Sequence, residues 1–136
     1  MSHRFKGQRL LVRIFIGESD RCADGPHRGK ALHEALLLTF RERGCAGATV
    51  LRGIAGFGAS ANIRTERILA LSLDMPIVVE LVETEEMVQD LLPDLDRMIG
   101  GGLVTIEKVR VLLYRPGNVP DSEREQHRLD GLTPDG

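Results

Sequence analysis

The chain has no tryptophan, one tyrosine and two cysteines in 136 residues. With so few aromatic rings, base-stacking platforms for single-stranded nucleic acid are scarce. Acids and bases interleave to a net charge of −2, whereas a nucleic-acid binder shows a basic stripe. No nucleic acid is therefore expected as a partner. Long apolar runs are missing too: none approaches the ~20 residues that a bilayer span needs. The opening MSHRFKGQRL lacks the apolar centre of a secretion signal. Cys22 and Cys45 have no metal-ligand spacing, so a reduced, cytoplasmic protein is expected. No motif beside Cys45 supplies a base, which makes it a packing residue rather than a nucleophile.

What is present suits one domain. A chain of this length buries roughly two-thirds of its unfolded surface without disulfide or metal staples. The apolar pattern divides it into a flexible N-terminus (1–8), a folded domain (9–115) and a polar, Pro- and Gly-bearing disordered tail (116–136). Residues 8–16 alternate as a strand, with Leu10, Val12, Ile14 and Ile16 on one face and Leu11, Arg13 and Phe15 on the other. Turn signals follow at Gly17-Glu18-Ser19-Asp20 and Asp24-Gly25-Pro26. A helix is predicted over 28–43, with Leu32, Ala35, Leu36, Thr39 and Phe40 on one face and Gly44 as its stop.

The stretch 44–58, GCAGATVLRGIAGFG, holds a strand from Ala48 to about Ile54 between glycines. Such glycines mark turns or close approach to a ligand. Residues 64–71 fit either a short helix or an extended arm. Residues 77–82 form a strand. Thr84 then caps a helix whose apolar face is Met87, Val88, Leu91, Leu92, Leu95 and Met98, with a kink expected at Pro93. Gly100-Gly101-Gly102 ends it, and 103–114 is the last strand. The order βαββαβ predicts a ferredoxin-like α+β fold: a four-stranded antiparallel sheet with two helices on one face. The other face would carry Leu11, Arg13, Phe15, Val78, Glu80 and Val82, which is too apolar to stay open. Either a homo-oligomer packs it inward, or the arm or tail covers it.

Gly17-Glu18-Ser19-Asp20, the run GATVLRGIAGFG at 47–58, the run LSLDMPIVVE at 71–80 and Gly102-Leu103-Val104-Thr105 resemble an uncharacterised bacterial family of PII-like proteins, a domain of unknown function. The resemblance spans about 9–114 in colinear order. More distantly, that family is similar to the nitrogen-regulatory PII signalling proteins. Gly56-Phe57-Gly58 resembles the base of the PII T-loop, and Gly100-Gly101-Gly102 the start of its B-loop.

The resemblance implies a homotrimer that binds an adenine nucleotide (ATP, ADP, AMP or a cyclic form) between subunits. Gly56, Phe57, Gly58, Gly100, Gly101 and Gly102 would line the ligand cleft. Residues 59–74, with Arg64, Glu66 and Arg67, would be the loop that touches a regulated partner, such as a membrane transporter or channel. Leu103 stands where PII has its phosphate-binding lysine, and Gly101 where it has an aspartate. A CutA-like structural or divalent-metal-tolerance trimer without nucleotide is the alternative.

Catalysis has little support. Glu18 and Asp20 fit an acid–base pair or a cation site, but more simply a turn and a cap. His27 and His33 are six apart, off the helical metal spacing. Arg28, Lys30, Arg64 and Arg67 suit phosphate or partner contacts, or are ordinary solvated charges. No enzyme and no bound metal are expected.

Overall fold

The computed structural model describes residues 7–60, 62–65 and 74–117. The strand β1 (Gly7–Gly17) is followed by α1 (Leu32–Glu42), β2 (Thr49–Arg52), β3 (Ala55–Gly56), β4 (Arg64–Thr65), β5 (Pro76–Glu83), α2 (Glu85–Met98) and β6 (Leu103–Val111). Four strands make one sheet in the order β2-β5-β1-β6, every pair antiparallel. This is the predicted ferredoxin-like α+β arrangement. β3 and β4 form a separate two-stranded ribbon.

The alternation of β1 sets the core. Val12, Ile14 and Ile16 are buried, as are Ile77, Val79 and Leu81 on β5. They pack against Leu32, Ala35, Leu36 and Phe40 of α1 and Val88, Leu91, Leu95 and Met98 of α2. Both helices thus cover one face, and burying the side chains between them and the sheet supplies the hydrophobic driving force of the fold.

The helix boundaries follow local chemistry, and α1 departs from expectation. It starts at Leu32 rather than near Arg28. Gly29 has a φ of +86°, which breaks a right-handed helix. Its N–H bonds to the Cys22 carbonyl at 2.9 Å, and the Cys22 N–H bonds to the Lys30 carbonyl at 2.8 Å. The segment before α1 therefore pairs back on residues 21–22. Gly44 stops the helix as predicted, at φ +82°. Thr84 caps α2, its Oγ1 accepting the Met87 N–H at 3.1 Å. The helix runs through Pro93 to Met98, so the lost bond to Gln89 does not end it. Leu92, expected on the apolar face, is 44% exposed, and Asp94 is buried in its stead. Asp94 accepts a bidentate pair from Arg43 at 2.8 and 3.0 Å and a further bond from Arg97 at 2.9 Å. A buried carboxylate needs such partners.

The sheet face away from the helices carries Leu11, Arg13, Val78, Glu80 and Val82, all half-buried, with Phe15 38% and Leu51 47% exposed. Arg13 sits at its centre, bonded to Glu80 at 2.9 Å and Glu107 at 2.6 Å. The central charges of this face are thus paired within one chain, leaving an apolar border around them.

Residues 1–6, 61, 66–73 and 118–136 lie outside the described residues. So do most of the disordered tail and flexible N-terminus expected from the sequence. No helix among the described residues is long and apolar enough to cross a membrane.

Candidate functional site

Antiparallel pairing gathers three strand termini at one end of the sheet. β1 finishes at Gly17 opposite Pro76, where β5 begins, and Phe15 pairs with Leu103, where β6 begins. The loop after α2 arrives there as well. Between them opens a cleft of about 670 Å³, lined by Gly56, Phe57 and Gly58 on one side and Gly100, Gly101 and Gly102 on another. That volume lies in the range of small-ligand sites. The two glycine triads singled out in the sequence meet within one chain, so their meeting needs no subunit boundary.

The glycines are not equivalent. At Gly102, φ is +153°, and a Cβ would lie 2.8 Å from the Phe15 carbonyl oxygen. This residue is glycine because β1 passes against it. A Cβ on Gly56 would meet Pro76 Cγ at 3.0 Å, whereas Gly58 and Gly101 have open space within 4 Å. The last two leave backbone bare toward the cleft, and a bare N–H is what an anion can use. Phe57 is 72% exposed, a ring presented at the rim without packing of its own.

The Gly17-Glu18-Ser19-Asp20 turn stitches the cleft to the arm. Asp20 Oδ2 accepts the Gly17 N–H at 2.9 Å. Glu18 Oε1 accepts from Arg52 Nε at 3.0 Å and from the Met75 N–H at 3.3 Å, tying the outgoing leg of the arm to the returning one. Ser19 Oγ donates to Asp74 Oδ1 at 2.6 Å, and Arg64 Nη1 pairs with Asp74 Oδ2 at 3.0 Å. The two acids of the turn thus hold backbone and arm in place, the plainer of the two roles open to them in the sequence.

The Ser19 hydroxyl, opposed by partial burial and helped by the Ser19 N–H and Arg64, holds the Asp74 carboxyl below its usual range. A carboxyl with a lowered folded value stabilises the fold above its unfolded value and loses that contribution as pH falls through the folded one. Wild-type protein should therefore melt higher than Asp74→Asn by a constant margin above about pH 5, and the margin should shrink below about pH 4. Paired thermal melts across pH 2–7 check this; a margin independent of pH contradicts the ionised pairing.

Of the predicted partner-loop residues, Arg64 is placed on β4 and lines the cleft. Glu66 and Arg67 lie outside the described residues. Arg64 and Thr65 are extended, which for these two settles the choice between helix and arm. Leu103, which the resemblance sets against the PII lysine, is 57% exposed at the start of β6 and is not among the cleft-lining residues.

Sequence reasoning missed Arg21, which lines the cleft. Its only signal was position, immediately after a turn at the end of β1. Cys45 stands at the opposite end of the sheet. Burial, reinforced by the charge of Glu83, pushes its thiol up to about 11, so it stays protonated at neutral pH. Among the described residues no three His, Cys, Asp or Glu side chains are grouped to hold a metal ion.

The fold, with its four-stranded antiparallel sheet and two helices, is PII-like. The solved structures it resembles include CPII, a nitrogen regulatory PII-like protein from Thiomonas intermedia K12, bound to ADP, AMP and bicarbonate. That structure aligns with a TM-score of 0.55 at 16% identity, over 76% of this chain and 94% of that one. A second CPII structure gives 0.53 at 16% identity, covering 76% and 88%. Residues 9–111 match the model of DUF190, described as "Uncharacterized ACR, COG1993", and the chain belongs to that family. A UPF0166 protein of Aquifex aeolicus (strain VF5) is 36% identical over 105 residues, 77% of this chain and 94% of that protein. UPF0166 protein MJ1524 of Methanocaldococcus jannaschii is 28% identical over 102 residues, covering 74% and 89%. The family resemblance read from the sequence therefore holds.

Proposed function

We propose that this chain is a non-enzymatic, PII-like regulatory protein. A small anionic ligand, an adenine nucleotide, binds in the cleft and biases the arm of residues 59–74, which relays the bound state to a partner protein. The observation that carries this reading is the convergence of both glycine triads on one cleft that also holds Arg21 and Arg64. The ADP and AMP bound by CPII support the ligand class. A ligand shifts an arm only if its affinity differs between arm states. Arg64 gives that difference a physical route, because it lines the cleft, belongs to the arm and is paired with Asp74.

The assembly proposed is a homotrimer with the open sheet faces packed inward. Its support is the apolar border around the self-paired Arg13 cluster. Light scattering at micromolar concentration that gave the mass of one chain would remove the trimer.

The ligand test is calorimetry on the folded protein with ATP, ADP, AMP and cyclic AMP, with and without magnesium. Heat with a defined stoichiometry from at least one is expected. Silence from all of them overturns the nucleotide reading. Copper or zinc binding in its place points to the divalent-metal trimer.

A further inference from the structure

We infer that the cleft selects a nucleotide of low charge, a nucleoside monophosphate over a triphosphate. This rests on the nucleotide reading above and narrows it. Among the described residues, the charged groups lining the cleft are Asp20, Arg21, Arg64 and Asp74. Two positive and two negative groups cancel, so the described lining has no net charge to set against the several charges of a triphosphate.

The four are also unequally available. Arg64 is engaged by Asp74 at 3.0 Å. Asp20 and Asp74 are fixed in place by Gly17 and Ser19 respectively. The guanidinium of Arg21 has no ion pair or hydrogen bond among the described residues. One cation is thus ready to meet one phosphate. Every phosphate beyond the first brings added negative charge into a space with two anchored carboxylates, where like charges repel more strongly than in bulk water. Among the described residues the lining offers no lysine to offset this. The rest of the wall suits an uncharged body: Phe15, Phe57, Pro76, Ile77 and Val78 line it. A ring system on that wall with one phosphate at Arg21 matches the site in both polarity and charge.

The experiment is magnesium-free calorimetry of the full chain with adenosine, AMP, ADP and ATP, on wild type, Arg21→Gln and Arg21→Lys. AMP should bind about tenfold or more tighter than adenosine, the scale of one charge-assisted hydrogen bond. Affinity should fall from AMP to ATP. Arg21→Gln should bring AMP down to the level of adenosine and leave adenosine unchanged, and Arg21→Lys should restore most of the preference. Because the Arg21 side chain has no ion pair or hydrogen bond among the described residues, these variants break no polar pairing in the fold. ATP binding as tightly as AMP overturns the inference, as does an AMP preference that survives Arg21→Gln; both leave the nucleotide site standing. No heat from any of the four compounds removes the site reading and the inference together.

Discussion

Gly102→Ala is expected to destabilise the protein by about 2–3 kcal/mol, through backbone strain and overlap rather than through lost binding contacts. Two observations combine at this residue. Its φ of +153° is one that L side chains rarely adopt, and its ideal Cβ would sit 2.8 Å from the Phe15 carbonyl oxygen and 3.0 Å from Ile16 Cγ2. The Phe15 oxygen belongs to β1, an inner strand of the sheet paired on one side with β5 and on the other with β6, so it cannot step aside cheaply. For a domain of this size the loss corresponds to a fall in Tm of roughly 10 °C. Gly101→Ala is the control. With open space around its Cβ and no positive φ, it should stay within about 0.5 kcal/mol of wild type. Thermal melts of the two variants side by side check the distinction. Equal stability would mean that the loop relaxes, and that Gly102 is not fixed by β1. The pair also separates roles that the sequence ran together, since Gly102 secures the loop while Gly101 faces the cleft.

Much of this molecule was legible in its sequence because the deciding patterns are short-range. The two-residue alternation of Leu10, Val12, Ile14 and Ile16 assigned the core face of β1. Thr84 marked a helix start, and Gly44 a helix stop. The βαββαβ order then fixed the topology, which brings the ends of β1, α2 and the start of β5 to one edge. Reading two glycine triads more than forty residues apart as one site came from the PII resemblance instead, and the fold brings them to one cleft within the chain. What escaped depends on partners distant in sequence or on elements too short for a period. Asp94 looks like a surface residue of α2 until Arg43, 51 positions away, supplies its bidentate partner. The β3–β4 ribbon has two residues per strand, below any window in which alternation registers. The late start of α1 turns on the left-handed Gly29, one glycine among fifteen. Arg21 belongs to no motif, and only the cavity around it gives it meaning.

The two ends of the sheet divide the labour. At one end, turns and glycines leave backbone uncommitted around a cleft, and the arm is fastened by polar contacts that are partly exposed to water. Exposed pairs of this kind are weak and easily exchanged, as the shape change proposed for the arm requires. At the other end, the fastenings are buried.

Glu83→Ala is the second large effect expected, and it tests that buried end. Glu83 is 1% exposed at the close of β5. One carboxylate oxygen accepts the Ala46 N–H in the loop before β2, and the other accepts the Thr84 N–H at 3.1 Å, at the cap of α2. One side chain thus ties β5 to the entry of β2 and to the start of the second helix. Truncation leaves two backbone donors without their charged acceptor and opens a cavity, so a loss of about 3 kcal/mol or more is expected, out of a total of about 5–15 kcal/mol for a domain. Glu83→Gln keeps one acceptor oxygen but turns an amide N–H₂ toward the second donor, and should cost an intermediate amount. Chemical denaturation of the three proteins gives the order wild type, Gln, Ala. The neighbouring thiol supplies an independent readout. Burial, with the charge of Glu83 as a smaller cause, pushes Cys45 up to about 11. Neutralising that charge in Glu83→Gln should lower the thiol value while leaving it above the ordinary range, because burial persists. The pH dependence of Cys45 alkylation in the folded proteins measures it. An unchanged profile in Glu83→Gln would show that the carboxylate does not act on the thiol, and would leave burial as the sole cause.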